Sequence, residues 1–391
     1  MDQQIPKQRL IVIHSHKTWL QLTETWLYTQ LRYLPKTVES HIVCESTVNL
    51  DQFHLPNIHC CPRPRWQVFP NYFLRKLRCR GMPDSLLRIA KREKAVILHS
   101  HYGFTGWKNM RVAELAGLKH IVTFYGLDVS RFPQTYPLWR KRYFNMFSEI
   151  DCVLCEGTHM AKSVIALGCP EEKIRIHHLG VQVDKIRFQP RKWDKKGPLR
   201  VLIAASFREK KGIPFALEAL GQVASEVSLD ITLIGDAGPD EMSQLEKQKI
   251  KATIAKSGLA GKVRLLGYQP HTIMFEEAYK HHIFLSPSVT ACDGDAEGGV
   301  PVGIIEVASS GMPVLSTRHC DIQEVLQHRV SGLLAEERDV EGLAEHLRWL
   351  IGNPGRWGPM VQAARKHIET QYNAQKQGEK LAAIYKEISE L

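Results

Sequence analysis

Between Asp293 and Thr317 the chain reads DGDAEGGVPVGIIEVASSGMPVLST. Two carboxylates, Glu297 and Glu306, bracket a pair of glycines and a short apolar run. Gly298 and Gly299 let the backbone come close to a ligand. Pro301 is tolerated in a first helical turn, Gly311 suits a left-handed stop, and Pro313 prevents the helix from resuming. A helix of about three turns therefore starts behind the glycines, and its first amides, around Val300 and Val302, face an anion with unpaired N–H groups. Glu306 is the one charge in VGIIEVASSGM. Two acceptor-only carboxylates beside a phosphate cradle suit a ligand with hydroxyls next to its phosphates, as in a nucleotide sugar. Without a ligand, the same residues read as a turn and a surface helix with Glu306 paired to a nearby Lys or Arg.

Elements with the hydrophobic pattern of parallel strands precede this stretch. RLIVIH is a short, continuous apolar run, expected as a strand buried on both faces. It is followed by a loop and a helix, SHKTWLQLTETWLYTQL, whose Thr23 is a candidate cap. AVILHSHYGFTGW ends a strand in His99 and His101, and such ends line the ligand crevice of an open α/β sheet. Histidines two apart on a strand point the same way; with no third ligand legible, His101 is expected near the acceptor and no metal is assigned. HIVTFYGLDVSRF and IDCVLCEG continue the sheet. Cys152 and Cys155 form a CxxC inside an apolar run, which reads as a buried strand. VQVDKIRFQPRKWDKKGP is polar and basic, and residues 186–197 are the expected linker. A second sheet opens with LRVLIAAS and continues through DITLIGDAGP, which is not a GxGxxG fingerprint, then KVRLLGYQP and HIFLSPSV. From Val340 onward the pattern is helical.

At 391 residues with 43% hydrophobic content the chain is long enough for two domains. It has no apolar run of membrane-spanning length, and MDQQIPKQRLIVIHSH lacks the h-region of a signal peptide. Nine scattered cysteines suit reduced thiols in a cytosol. The charge of +11 lies in the first half: residues 1–190 hold 27 Lys/Arg against 15 Asp/Glu, leaving 25 against 26 for the rest. Ten basic residues between Pro62 and Lys94 are interleaved with Trp66, Phe69, Tyr72 and Phe73. That mixture suits an anionic membrane surface, and no nucleic-acid motif accompanies it.

The segment around Glu297 and Glu306 resembles the donor-site signature of retaining glycosyltransferase family 4, a Glu-x7-Glu motif followed by Gly-x-Pro-Val. Here eight residues rather than seven separate the glutamates, one more in the glycine loop. Lys211 and Gly212 resemble the family's Lys-Gly at a loop-to-helix junction. The family places an arginine five residues earlier; Ser206 stands there, and Arg208 is its substitute. Thr123 to Asp128 resembles a Thr-Phe-His-Gly-x-Asp segment, with Tyr125 in the histidine's place. Thr23, Glu24 and Thr25 resemble the family's opening of the first helix.

The resemblance implies a GT-B fold: an N-terminal acceptor-binding Rossmann-like domain over residues 1–185 and a nucleotide-sugar-binding one over residues 198–368. The two would face each other across a cleft, with residues 369–391 a helix crossing back to the first domain. It further implies sugar transfer, with retention, from a nucleoside-diphosphate sugar to a hydroxyl of a saccharide or polyprenyl-linked acceptor, in cell-surface polysaccharide assembly. Glu297, Lys211, Arg208 and Tyr125 are the expected catalytic group. Glu306, Gly298, Gly299, Val300, Pro301, Val302, Gly267, Tyr268 and Ser206 would bind donor, and Glu24, Thr25, His101 and Asp128 acceptor. No cofactor or metal is expected, so Asp293-Gly-Asp295 reads as loop polarity. The location implied is cytoplasmic, peripheral at the inner membrane face. A non-hydrolysing sugar-nucleotide epimerase and a catalytically silent sugar-nucleotide-binding protein remain open, distinguishable by their products.

Overall fold

The computed structural model of the chain describes residues 9–21, 24–62 and 81–391, the side chains of 81–83 excepted. Thr23 and most of the basic stretch after Pro62 therefore lie outside the described residues. The chain divides into two units, Met1–Gly180 with Ala374–Leu391, and Val181–Asn373.

The first unit is built on strands β1 Leu10–Ser15, β3 Val38–Cys44, β5 Ile58–Cys60, β6 Ile97–His101, β7 Lys119–Thr123, β8 Cys152–Cys155 and β9 Ile174–Ile176, in the sheet order β5-β3-β1-β6-β7-β8-β9. All of these pairings are parallel. A separate short pair joins β2 Thr18–Trp19 to β4 Ser46–Thr47. The apolar run of β1 is continuous because successive residues serve opposite faces. Val12 packs with Ile97, Ile121, Leu381 and Tyr385, and Ile13 with Val43, Leu98, Ile89 and Val112. Leu381 and Tyr385 belong to the helix Ala374–Glu390, so the C-terminal helix returns to the first unit. Gly378 allows its close approach: a Cβ there would stand 2.0 Å from the Tyr33 carbonyl oxygen. Cys152 and Cys155 are buried in β8, and burial pushes the Cys152 thiol up to about 12.

The second unit repeats the plan with β10 Leu199–Ala204, β11 Leu229–Ile234, β12 Val263–Gly267, β13 Ile283–Ser286, β14 Val314–Thr317 and β15 Leu333–Ala335, in the order β12-β11-β10-β13-β14-β15. Its strands too pair in parallel. Val201 and Ile203 face one core, shared with Leu217 and Leu347, and Leu202 the other, with Ile304 and Ala308.

Residues 186–197 are not a free linker. Gln189 and Arg191 donate their backbone N–H groups to Ser310 and Gly311, and Trp193 is part of the core. The Arg191 guanidinium donates to the carbonyls of Ala278 and Ser310, in the last turn and at the C-cap of two helices, where a cation is favoured. The composition of this stretch reads as linker because its polar atoms serve neighbouring backbone rather than solvent. The chain crosses between units at Gly180–Val181 and Asn373–Ala374 instead.

Candidate active site

In open parallel sheets, ligands meet the carboxyl ends of the strands, and the donor residues expected from the sequence gather at such ends in the second unit. After β10 the chain forms a tight turn to Lys211 and Gly212, then the helix Ile213–Val223 with Pro214 in its first turn. Gly212 has φ +62, and a Cβ on it would sit 1.8 Å from the Pro287 carbonyl oxygen. Only glycine brings this turn so close to the loop after β13.

Across that approach the Lys211 ammonium donates to both Glu297 oxygens, at 2.7 and 2.9 Å, and Ser288 Oγ donates to Oε1 at 3.0 Å. Burial alone would raise the Glu297 carboxyl; the ammoniums of Lys211 and Lys210 outweigh it and hold the group down at about 2. Glu297 is therefore a fixed carboxylate. Lys210 pairs with Asp295 at 3.1 Å, and Asp293 accepts the Asp295 backbone N–H. The Asp-Gly-Asp stretch is tied into the loop.

The helix behind the glycines is Val302–Ser309, with Pro301 at its N-cap and no side chain capping it. Gly298 takes φ +78 and Gly311 φ +87, the latter the expected left-handed stop. Among the described residues no backbone acceptor takes the amide of Gly299 or Val300, so these N–H groups stand ready for an anion. Val300 itself is mostly buried in the core. Glu306 is paired, but with a histidine: His271 Nε2 lies 3.0 Å from each carboxylate oxygen, and that hydrogen bond raises the His271 pKa. His271 is 56% exposed, a partner that an arriving hydroxyl can displace.

The remaining donor candidates line the neighbouring strand ends. Gly267, φ +67, closes β12, and its carbonyl accepts the Gly235 N–H; Tyr268 beyond it is 58% exposed. Ser206 accepts the Arg208 N–H through its carbonyl. The Arg208 guanidinium is exposed, in the neighbourhood of Tyr268 and Asp240.

In the first unit the structure corrects the expectations. Asp128 is fully buried and accepts the N–H groups of Gly103 and Tyr125 at 2.6 and 2.7 Å, so its carboxylate ties two loops together rather than meeting an acceptor. Tyr125 is 5% exposed, and its hydroxyl is 2.8 Å from His101 Nδ1. The phenol that replaces the family's histidine points inward. His101 is also fully buried. His14, His99 and His101 bring ligand atoms within 4.8 Å of one another, yet His14 bonds to His101 and Ser40, and His99 to Tyr385 and Thr123. These imidazoles are satisfied by protein, and burial lowers the pKa of each. Glu24 stands at the N-cap of the helix Thr25–Arg32, its side chain mostly buried; Oε1 accepts from Tyr102 at 2.8 Å with His16 at 3.6 Å, and the buried Oε2 has no partner among the described residues. Thr25 opens that helix without capping it.

Sequence reasoning missed Ser288, His271, His319, Tyr102 and His16. Tyr102 directly follows a strand end already marked as crevice-lining, a usable signal, and His16 directly follows the end of β1. His271 and Ser288 sit in unremarkable local sequence, brought in only by strand order.

Two family models match the chain: glycosyltransferase family 4 over residues 23–185, and glycosyl transferases group 1 over residues 198–353. The amylovoran biosynthesis glycosyltransferase AmsK of Erwinia amylovora is 34% identical over 74% of this chain and 69% of its own length. The chain belongs to glycosyltransferase family 4. The putative colanic acid biosynthesis glycosyltransferase WcaL of Escherichia coli is 30% identical to this family 4 chain, over 76% of it and 72% of WcaL. The crystal structure of Anabaena HepE in complex with UDP matches 97% of this chain and 100% of that one, with a TM-score of 0.79 at 14% identity. The fold of this family 4 glycosyltransferase is thus GT-B.

Proposed function

We propose that this glycosyltransferase moves a sugar, with retention, from a nucleoside-diphosphate sugar to a hydroxyl of a saccharide or lipid-linked saccharide during cell-surface polysaccharide synthesis. The observation that carries the reading is the loop in which Glu297 is clamped by Lys211 and Ser288 beside the unpartnered amides of Gly299 and Val300. In the reaction the anomeric C–O bond to the diphosphate breaks, the bonding pair leaves with the nucleoside diphosphate, and the acceptor oxygen bonds to the anomeric carbon. The amides, with Lys211 and Arg208, stabilise the departing diphosphate; its phosphate takes the acceptor proton. Glu297 receives sugar hydroxyls and Glu306 ribose hydroxyls, displacing His271. No metal is needed in this scheme, because ammonium, guanidinium and amide groups meet the diphosphate charge. The acceptor side belongs to the first unit. The relatives named for amylovoran and colanic acid synthesis support an exopolysaccharide product, and the UDP complexes among the solved relatives of the fold make UDP-sugars the first donors to try.

The test is a thermal-shift screen against UDP-, GDP- and ADP-sugars, with and without EDTA. One nucleotide series should raise the wild-type midpoint by mass action, EDTA should leave that shift in place, and Glu306→Ala should remove most of it. Absence of any shift at millimolar ligand would refute the donor site.

We also place the protein at the inner face of the cytoplasmic membrane. No described helix is long and apolar enough to span a bilayer. On the helix Leu138–Glu149 and just before it, Tyr136, Leu138 and Phe144 are 54, 58 and 63% exposed, alongside exposed Arg140 and Lys141. Apolar side chains among cations suit an anionic lipid surface.

A further inference from the structure

We propose that His319 is a positioning residue for the donor loop, held in one tautomer by Glu337. The inference rests on reading the loop from Glu297 to Val302 as the donor cradle. His319 lies two residues beyond the end of β14 and is almost wholly buried. Its Nδ1 lies 2.6 Å from Glu337 Oε1. A carboxylate only accepts, so Nδ1 carries the hydrogen and Nε2 is bare. Nε2 in turn accepts the backbone N–H of Glu297 at 3.1 Å. Glu337 is itself anchored by the Thr290 N–H at 2.7 Å.

The next residue lies against the same ring. Cys320 Sγ is 3.2 Å from His319 Nε2. Cys320 holds φ +45, a left-handed conformation that a non-glycine residue rarely adopts. The donor loop is therefore fixed at the Glu297 amide by a side chain of the loop after β14. With that amide held, the chain turns at Gly298, the Glu297 carboxylate stays on Lys211, and the amides of Gly299 and Val300 remain unpartnered. His319 touches neither diphosphate nor sugar in this scheme; it sets where the groups that do so are placed.

The two amide variants separate this role from packing. In His319→Gln an amide oxygen reaches the place of Nε2 and can accept the Glu297 N–H; in His319→Asn the shorter side chain reaches only the place of Nδ1 and cannot. Calorimetric titration with UDP, GDP and ADP, the melting midpoint, and hydrogen exchange of residues 293–301 are measured on wild type and both variants. The expected result is a dissociation constant about tenfold or more weaker in His319→Asn, equivalent to about 1.4 kcal/mol. That loss comes with faster exchange of the loop and a midpoint near wild type, and His319→Gln recovers most of it. Wild-type affinity and wild-type loop exchange in His319→Asn would overturn the proposal. If no nucleoside diphosphate binds the wild type, the donor reading fails on its own; unchanged loop exchange in His319→Asn would then still overturn the positioning role, and exchange accelerated there but not in His319→Gln would uphold it.

Discussion

The Glu297–Lys211 pair makes the candidate site sensitive to acid in a defined sense. A carboxyl held near 2 against an ordinary value near 4.5 gives stability that is complete above about pH 4.5 and is lost as the pH falls toward 2. The difference in unfolding midpoint between wild type and Glu297→Gln should therefore narrow steadily on acidification from pH 6 to pH 3. A gap that stays constant would show that Lys211 does not hold the carboxylate. Glu297 and Lys211 were both legible in sequence, each from its own local motif; that they bind each other was not, because 86 positions separate them and the contact depends on Gly212 letting Pro287 approach. Tyr125 shows the opposite limit. Its place in a motif marks it as ligand-facing, and only the buried imidazole of His101, from the neighbouring strand β6, explains why its hydroxyl turns inward.

At the level of elements, hydrophobic period located the strands and the short donor helix, since parallel strands must bury both faces and Pro301 and Gly311 bound a helix wherever they occur. The stretch 186–197 was misread because Arg and Gln beside proline suggest solvent; Arg191 instead sits under two helix ends. The helix Leu138–Glu149 went unremarked for a related reason. Its sequence LWRKRYFNMFSE mixes apolar and basic residues around the whole circumference, and only exposure separates buried Tyr143, Met146 and Phe147 from exposed Leu138 and Phe144. Each cation near an anionic surface contributes about 1 kcal/mol. Reversing two of them in Arg140→Glu/Lys141→Glu should weaken flotation with phosphatidylserine vesicles about tenfold or more at low salt, while leaving the nucleotide-induced thermal shift intact. Equal flotation of both proteins would remove this helix from the membrane reading.

At the scale of the whole molecule, the two units share a plan and differ in what their sheets enclose. The first unit buries His14, His99, His101, His120 and His177; burial lowers His14 to about 3, His120 and His177 to about 4, and His99 and His101 well below the usual range. Such histidines stay neutral while folded and take up protons when unfolded, so below pH 6.5 the unfolded chain binds more protons and stability falls with pH. Asp128, raised by burial to about 7, works in the opposite sense and cancels roughly one of the five. The remainder corresponds to at most about 5 kcal/mol per pH unit, against a total domain stability of about 5–15 kcal/mol. The second unit has lowered histidines too, but His281, His282, His328 and His346 keep more contact with solvent or charge partners. Hydrogen exchange at pH 7.5 and 5.5, corrected for intrinsic rates, should show β1, β6 and β7 losing protection while β10, β11 and β13 keep theirs. Simultaneous opening of both sheets would mean that coupling between the units, rather than the buried imidazoles, sets the acid limit of the protein.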